Sequence, residues 1–370
     1  MQKKIVIVVS AMNLGGAQRV VSILCDHWCK RDFEVTLVST FTGEAIQHYK
    51  VNSKVKLKNL SNSPYFENNK VINLVWKLKQ LRKIFKEQNP DLIISFLTRV
   101  NVATTISSIG LNNPVIISER TWTPFATLNK RFFWLYKVLF KRVDKIIVQT
   151  NKSKTWLKSY FPSLHSLVIP NPVVYPLPKN DSPSSHPDLI ISKQRKIILA
   201  SGRLHHYKQF DLLIKSFSKV KDRFADWDLV ILGDGEQKDN LSKLILELNV
   251  KDRIFLPGSV SNIADWYQRA DLFVLSSLVE GFPNVLLEAM TYGLPCISFN
   301  CDTGPSDMIE HGANGYLIDP IEKESGLINA MVELIDNEDL RRKFSKNSIL
   351  LRDKYSPDNV MRQWDKILDI

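Results

Sequence analysis

The 370-residue chain has only four cysteines, and their spacing suits neither a disulfide framework nor a metal site. No Cys-x-x-Cys occurs and no histidine stands at finger distance from a thiol, so structural zinc is not expected. Cys25 and Cys29 fall on a predicted helix, and Cys296 and Cys301 near a strand end. They read as reduced thiols packed as small apolar side chains. No apolar run approaches the roughly 18 residues of a membrane span. The basic N-terminus leads into only Ile5–Val9, shorter than the about 7–15 apolar residues of a signal peptide. That stretch reads as a buried first strand, and a cytoplasmic protein is expected. Gly-x-Gly-x-x-Gly is missing, which removes the dinucleotide signal. The scattered lysines carry no recognisable nucleic-acid motif, so nucleic acid is not an expected partner.

What is present is an ordinary globular composition, 44% hydrophobic and 24% charged. At roughly 100–200 residues per domain, two or three domains are expected. The charge is unevenly placed. Residues 1–170 carry 26 Lys/Arg against 9 Asp/Glu, a net of +17, whereas residues 171–370 carry 24 against 29, a net of −5. A basic half joined to a mildly acidic half implies different partners for the two. An anionic membrane or a phosphate-bearing substrate suits the first.

Short apolar runs alternate with helical segments along the whole chain. Strands are predicted at Lys4–Val9, Phe33–Ser39, Asp91–Phe96, Val115–Ser118 and Lys145–Gln149. The pattern restarts at Lys196–Ser201 and continues through Asp228–Leu232, Ile254–Leu256, Leu272–Ser276 and Cys296–Phe299. Such alternation predicts parallel, doubly wound α/β sheets. Five prolines between Pro170 and Ser185 mark a linker. The expected domains are 1–170, a linker at 171–195, 196–355, and a C-terminal helix at 356–370 crossing back to the first domain. Ligands of such sheets bind beyond the carboxyl ends of the strands.

Four constellations lie at those ends. Gly202 and the cations Arg203 and Lys208 follow Lys196–Ser201, where they suit a diphosphate. His205 and His206 between them read as surface loop residues. Glu280-Gly-Phe-Pro-Asn-Val-Leu-Leu-Glu288 follows Leu272–Ser276 and opens a helix. Pro283 fits the first helical position, and no Ser, Thr or Asp stands directly before it to cap the helix. The amides of Asn284 and Val285 are therefore candidates for an anion. Glu280 and Glu288 suit sugar or ribose hydroxyls. Gly233-Asp-Gly-Glu236 permits a tight strand–helix turn, with or without a ligand. Gly15-Gly16 allows close approach to the backbone. Asp226-Trp-Asp228 matches a metal-binding Asp-x-Asp but stands at the start of a strand, the wrong end for a ligand.

The order Gly15-Gly16, Gly202–Lys208, Gly-Asp-Gly-Glu236, Pro257-Gly-Ser-Val260, Glu280–Met290, Gly293-Leu-Pro-Cys-Ile297 and Gly312–Ile318 resembles retaining glycosyltransferase family 4. The resemblance spans essentially the whole chain and is strongest from 197 to about 320. It implies the GT-B fold, two facing Rossmann-like domains with a central cleft and the donor on the second. Ile94-Ser-Phe-Leu97, Ile117-Ser-Glu-Arg120 and Thr303-Gly-Pro305 are most similar to bacterial transferases that extend lipid-linked or surface glycans, several with UDP-N-acetylhexosamines.

The resemblance also implies roles. Arg203 and Lys208 would hold the donor diphosphate, helped by amides around Phe282–Val285. Glu288 would accept from ribose, and Glu280 would meet the transferred sugar. Val260 would border the base, while Gly15 and Gly16 would let the first domain approach the phosphates. Glu280, Arg203 and Lys208 form the expected catalytic set. Many family members carry a histidine after the Ser-Glu pair that meets the donor sugar, and here Arg120 stands there. With no alternative nucleophile evident, front-face retention without metal or other cofactor is expected.

The acceptor belongs to the basic half. Val71, Leu74, Val75, Leu78, Leu81 and Phe85 recur at helical spacing over Val71–Gln88, with Lys77, Lys79, Arg82, Lys83 and Lys86 on other faces. Lys130–Lys145 mixes aromatics with cations. Glu119, Arg120, Lys77, Arg82 and Lys83 are the candidate acceptor residues, and an undecaprenyl-diphosphate-linked glycan at an anionic membrane face is the expected acceptor. A non-catalytic nucleotide-sugar-binding protein or a nucleotide-sugar epimerase on the same fold are the competing readings.

Overall fold

A computed structural model describes residues 2–12, 15–40, 51–64, 69–121, 130–178 and 186–368. The expected turn at Asn13-Leu14 and part of the expected linker, 179–185, lie outside them. The chain forms two units. The first takes Met1–Pro172 together with Pro357–Ile370, and the second is the continuous stretch Val173–Ser356.

The first unit is built on seven strands: β1 (Lys4–Val9), β2 (Glu34–Ser39), β3 (Lys56–Asn59), β4 (Leu92–Phe96), β5 (Val115–Ser118), β6 (Lys145–Val148) and β7 (Ser166–Val168). They lie in the order 3-2-1-4-5-6-7, with every pairing among the described residues parallel. Its helices are α1 (Gly16–Lys30), α2 (Lys70–Gln88), α3 (Thr98–Ser108), α4 (Lys130–Leu139) and α5 (Asn151–Tyr160). The period of two divides β1 between two cores. Ile5, Ile7 and Val9 face Val20, Leu24 and Trp28 of α1, while Val6 and Val8 face the core that holds Leu81 and Phe85 of α2 and Phe140 after α4.

The second unit repeats the design. Its strands β8 (Lys196–Ser201), β9 (Trp227–Leu232), β10 (Ile254–Gly258), β11 (Leu272–Leu275), β12 (Cys296–Phe299) and β13 (Gly315–Ile318) lie in the order 10-9-8-11-12-13. Its helices are α6 (Pro187–Ile190), α7 (Phe210–Val220), α8 (Lys238–Glu247), α9 (Ile263–Arg269), α10 (Asn284–Thr291), α11 (Pro305–Met308), α12 (Lys323–Asp336), α13 (Glu338–Ser348) and α14 (Leu351–Lys354). In both sheets the strand order reverses beside the first strand, the switch point where Rossmann-type sheets open a crevice at the carboxyl ends. That point lies between β1 and β4 in the first unit and between β8 and β11 in the second.

The last helix, α15 (Pro357–Asp365), packs on α1 of the first unit. Trp364 is fully buried, with its ring 6.4 Å from that of Trp28 and 5.8 Å from that of Phe96. Asp365 accepts from His27 Nε2 at 3.0 Å and Trp28 Nε1 at 3.2 Å, and pairs with Arg31 Nη1 at 2.5 Å. The stretch expected as linker is not slack where described. Val173, Leu177 and Ile191 are buried in the second unit's core, because those prolines are interleaved with apolar residues that find a surface to cover.

All four cysteines are free and buried. Burial pushes the Cys25, Cys29, Cys296 and Cys301 thiols up, away from thiolate.

Candidate active site

In the second unit, the loops leaving β8 and β11 are fastened to each other. Ser276 Oγ donates to the Lys208 carbonyl at 2.7 Å, and the Leu278 amide donates to the Tyr207 carbonyl at 2.8 Å. The β8 loop is also stitched to the turn after β9. Gly202 N donates to Leu232 O at 3.0 Å, and Leu204 N donates to Asp234 O at 2.9 Å. Gly233 has φ +131, and a Cβ there would lie 1.9 Å from the Gly202 carbonyl, so only glycine lets the two loops meet. The Gly-Asp-Gly turn therefore serves the neighbouring loop.

This scaffold presents Lys208 to Glu280. Lys208 Nζ lies 2.5 Å from Glu280 Oε1, with both side chains mostly buried. Glu280 is held from behind, where Thr303 donates its hydroxyl to the Glu280 carbonyl. Gly304, at φ +97, brings the backbone close enough that a Cβ would sit 2.4 Å from Pro283 Cδ. Arg203 is exposed and reaches Glu236 at 3.4 Å, a carboxylate that His205 Nε2 also approaches at 3.1 Å. Both cations thus rest against carboxylates, and a diphosphate would compete for them with a charge-assisted contact of its own.

Pro283 is the N-cap of α10 rather than its first helical residue, and no side chain caps the helix. The amides of Leu286 and Leu287 close on the Pro283 carbonyl at 3.1 and 3.2 Å. The positive end of the helix starts at Asn284 and Val285, directly after the Glu280 loop. The Phe282 side chain is not at the surface. It is buried in the core, 5.8 Å from the Tyr355 ring, which leaves its backbone as the part able to meet a ligand. Glu288 is 6% exposed on an otherwise apolar stretch of α10, and the Tyr267 hydroxyl donates to its Oε2 at 3.1 Å. Val260 is half-buried against the same core.

Among the described residues one group of His, Cys, Asp or Glu atoms lies close enough to share a metal, His205, His206 and Glu236. The tautomer of His205 opposes it. Its Nδ1 accepts from the Tyr207 amide at 3.3 Å, which places the proton on Nε2, facing Glu236. Ligation through Nε2 would require the reverse tautomer and the loss of that cap. Asp228 of the Asp-x-Asp match is fully buried between Arg195 and Arg253, an ion cluster at the opposite end of the sheet from the loops above.

Several candidates in the first unit already have partners within it. Gly15 is the N-cap of α1, and the room its missing side chain leaves is taken by Gln18, whose Oε1 lies 2.3 Å from where a Cβ would stand. Gly16 is the first helical residue. Glu119 is 2% exposed and accepts from Thr98 Oγ1 at 2.7 Å and Asn101 Nδ2 at 2.6 Å, while burial pushes its carboxyl up. The backbone beside it is strained, since Leu97 holds φ +77 without being glycine.

Arg120 is 8% exposed, so it does not present a cation to an acceptor. Its guanidinium packs 5.0 Å from the Phe96 ring and 5.6 Å from that of Trp364, and its Nη1 donates to Asn171 at 2.6 Å. Its Nε and Nη2 have no protein acceptor among the described residues. Burial lowers its pKa to about 9.

Arg82 is likewise engaged within the unit. Its Nη1 donates to the Ser107 and Ile109 carbonyls at 3.0 and 2.6 Å, closing the end of α3. Lys77 is half-buried, and Lys83 is exposed and 3.7 Å from Glu87. The expected core face of α2 is only half used. Leu81 and Phe85 are buried, whereas Val71, Leu74 and Val75 in its first two turns are exposed. On α4, Trp134 and Val138 are exposed beside Lys137, while Tyr136 and Leu139 face inward. The side chains of 130–133 lie outside the described residues.

Sequence reasoning assigned no role to Tyr267, Ser276 or the Thr303-Gly304 support. The Thr-Gly-Pro run was the signal available for the last.

The N-terminal half, residues 14–174, matches the model of Glycosyltransferase Family 4, and residues 181–350 match that of Glycosyl transferases group 1. An uncharacterized glycosyltransferase of Methanocaldococcus jannaschii is 31% identical over 349 residues, covering 80% of this chain and 85% of that protein. A Campylobacter jejuni α-1,4-N-acetyl-D-galactosaminyltransferase, named for a diphospho-undecaprenol-linked glycan, is 26% identical over 99% of this chain and 98% of its own. The structure of Anabaena Alr3699/HepE in complex with UDP and glucose aligns over 100% of both chains, with a TM-score of 0.80 at 17% identity. With two Rossmann-like sheets and both family models in register with them, the chain belongs to the family 4 glycosyltransferases of the GT-B fold.

Proposed function

We propose that the chain is a retaining, metal-independent glycosyltransferase that moves a hexose or N-acetylhexosamine from a UDP-sugar to a glycan on undecaprenyl diphosphate, in bacterial polysaccharide or glycoprotein glycan assembly. The observation that carries this reading is the Lys208–Glu280 contact at the second sheet's switch point, with Arg203 on the same loop and an uncapped helix start beside it. Arg203, Lys208 and the α10 amides meet the diphosphate, whose charge grows as the bond to the anomeric carbon breaks. Glu280 meets the transferred sugar, Glu288 the ribose hydroxyls and Val260 the base. In front-face retention the phosphate–carbon bond breaks, the acceptor oxygen bonds that carbon from the same side, and the acceptor's proton passes to the leaving phosphate oxygen. Positioning and leaving-group stabilisation then supply the rate. The UDP complex of the Anabaena structure supports the nucleotide, and the Campylobacter relative's name supports the acceptor class. A panel of UDP-, GDP- and ADP-sugars, scored by thermal shift and then by slow hydrolysis, tests the donor. Stabilisation by none of them would count against it.

Two further results are expected. Activity survives excess EDTA, because among the described residues the carboxylates just past these strand ends are already held by cations, Asp234 by Lys238, Glu236 by Arg203 and Glu280 by Lys208. Complete loss restored by Mg²⁺ or Mn²⁺ would refute the metal-free reading. The second concerns the membrane. No helix among the described residues is long and apolar enough to cross one. Exposed Val71, Leu74, Val75, Trp134 and Val138 nevertheless stand beside Lys70, Lys79, Lys137, Lys141 and Arg142, a composition suited to a peripheral site on the inner face of the cytoplasmic membrane. Each such cation near an anionic surface contributes about 1 kcal/mol. Co-sedimentation with anionic vesicles should therefore fall with salt, and with neutralisation of Lys70, Lys77 and Lys79, or of Lys137, Lys141 and Arg142. Wild-type protein that stays in the supernatant at low salt would leave a soluble acceptor.

A further inference from the structure

Glu288 is an ionisable group on a buried stretch of α10, between Leu287 and Ala289, each almost fully covered. A carboxylate in such surroundings turns about its last bond unless something fixes its plane. Tyr267 of α9 stands where it can do so. Its hydroxyl lies 3.1 Å from Glu288 Oε2 and 3.3 Å from the Val285 carbonyl, one turn earlier on the same helix. The phenol ring is itself immobile. It is 1% exposed, with its centroid 5.5 Å from Tyr292 and 6.1 Å from Phe273 in a T-shaped arrangement. Tyr292 is tied in turn to the chain entering the second unit, since its hydroxyl accepts from the Leu177 amide at 2.9 Å. A rigid phenol therefore spans one carboxylate oxygen and the start of the helix that carries it.

We infer that Tyr267 is a positioning residue that sets the carboxylate plane of Glu288, and through it the selection of a ribonucleotide over a deoxyribonucleotide. This rests on the reading of Glu288 as the ribose partner. An O–H donor on Oε2 takes up one lone-pair direction of the carboxylate and so fixes the direction from which a vicinal diol can donate to it. Without that donor the carboxylate loses one of the contacts that hold its plane, and the diol meets a less well set acceptor. A deoxyribose, which offers one hydroxyl fewer, has less to lose. Removing the phenolic oxygen should then weaken ribonucleotide binding more than deoxyribonucleotide binding, a difference that looser packing alone does not produce.

The test uses the whole chain with UDP and 2′-deoxy-UDP as probes, measuring Kd for each by calorimetry, with thermal unfolding as a check on folding. Wild type should prefer UDP at least tenfold. Tyr267→Phe should cut that preference at least threefold, mostly through weaker UDP binding, and raise the KM for the UDP-sugar more than it lowers kcat. Tyr267→His, which keeps a donor, should recover part of the preference and stands in if the Phe variant does not fold. An unchanged preference in Tyr267→Phe, or equal loss for both nucleotides, overturns the inference. Glu288→Ala separates the two layers. If it abolishes the preference while Tyr267→Phe leaves it intact, only the positioning role falls. If it leaves the preference intact, or wild type shows none, the ribose reading falls and takes the inference with it.

Discussion

Lys208→Ala should lower kcat/KM for the nucleotide sugar by about 10²–10³-fold. Removing one partner of a mostly buried ion pair costs about 3–5 kcal/mol, because the other charge is left without compensation. Here the orphan is Glu280, whose side chain is only 12% exposed. The same ammonium is proposed to meet the diphosphate as charge develops on it, so the loss falls on the transition state, at tenfold for each 1.36 kcal/mol. Lys208→Arg keeps the charge but changes its shape, and should fall between wild type and alanine. Steady-state kinetics across the donor concentration range, with thermal unfolding as a control, measure this. Activity of Lys208→Ala within threefold of wild type would remove Lys208 from the site.

Trp364→Ala should destabilise the first unit by about 3–5 kcal/mol, the range for deleting a fully buried large aromatic. Three features set it at that end. The ring meets Trp28 and Phe96, it forms one wall of the Arg120 guanidinium's packing, and the next residue, Asp365, fastens the helix to His27, Trp28 and Arg31. Removing the ring opens a cavity and strips a buried cation of one of its two aromatic neighbours. Urea unfolding measures the change, with Trp364→Phe retaining about half of the lost stability. A shift below 1 kcal/mol would mean that α15 is a passive appendage.

The sequence made every central strand visible and left three of the four edge strands hidden, for a physical reason. β1, β4, β8, β9 and β11 are buried along nearly their whole length and read as short, nearly continuous apolar runs. β3, β7 and β13 are edges, as is β10, whose Ile254-Phe-Leu256 run still carried a strand signal. β3 reads Lys-Leu-Lys-Asn with three of its four residues exposed, which carries no strand signal. Of the candidate site, the meeting of Lys208 with Glu280 was legible because the two follow strands that the alternating pattern places in one sheet. Arg82 and Arg120 were not. A sequence shows that a residue carries a charge but not where a long side chain ends, and these two end on a helix's carbonyls and between aromatic rings. The half-exposed face of α2 was hidden because helical periodicity shows which residues share a face, not how much of that face the fold covers.

The first unit is discontinuous in the chain, its sheet coming from the first 172 residues and its last helix from the final 14. That sets an order of events during synthesis. Domains ordinarily fold as the chain emerges, N-terminal first. Here the first unit to leave the ribosome cannot be finished first. Its strands and α1 can assemble, but the surface of Trp28 and Phe96 that Trp364 covers stays bare until α15 is made. The second unit, unbroken from Val173 to Ser356, begins later and can close earlier. A ribosome halted after Ser356 but before Trp364 therefore releases a polypeptide with a complete second unit and an aromatic surface still open on the first. Premature termination is thereby marked on the product itself, as exposed apolar surface of the kind that chaperones hold and that drives aggregation.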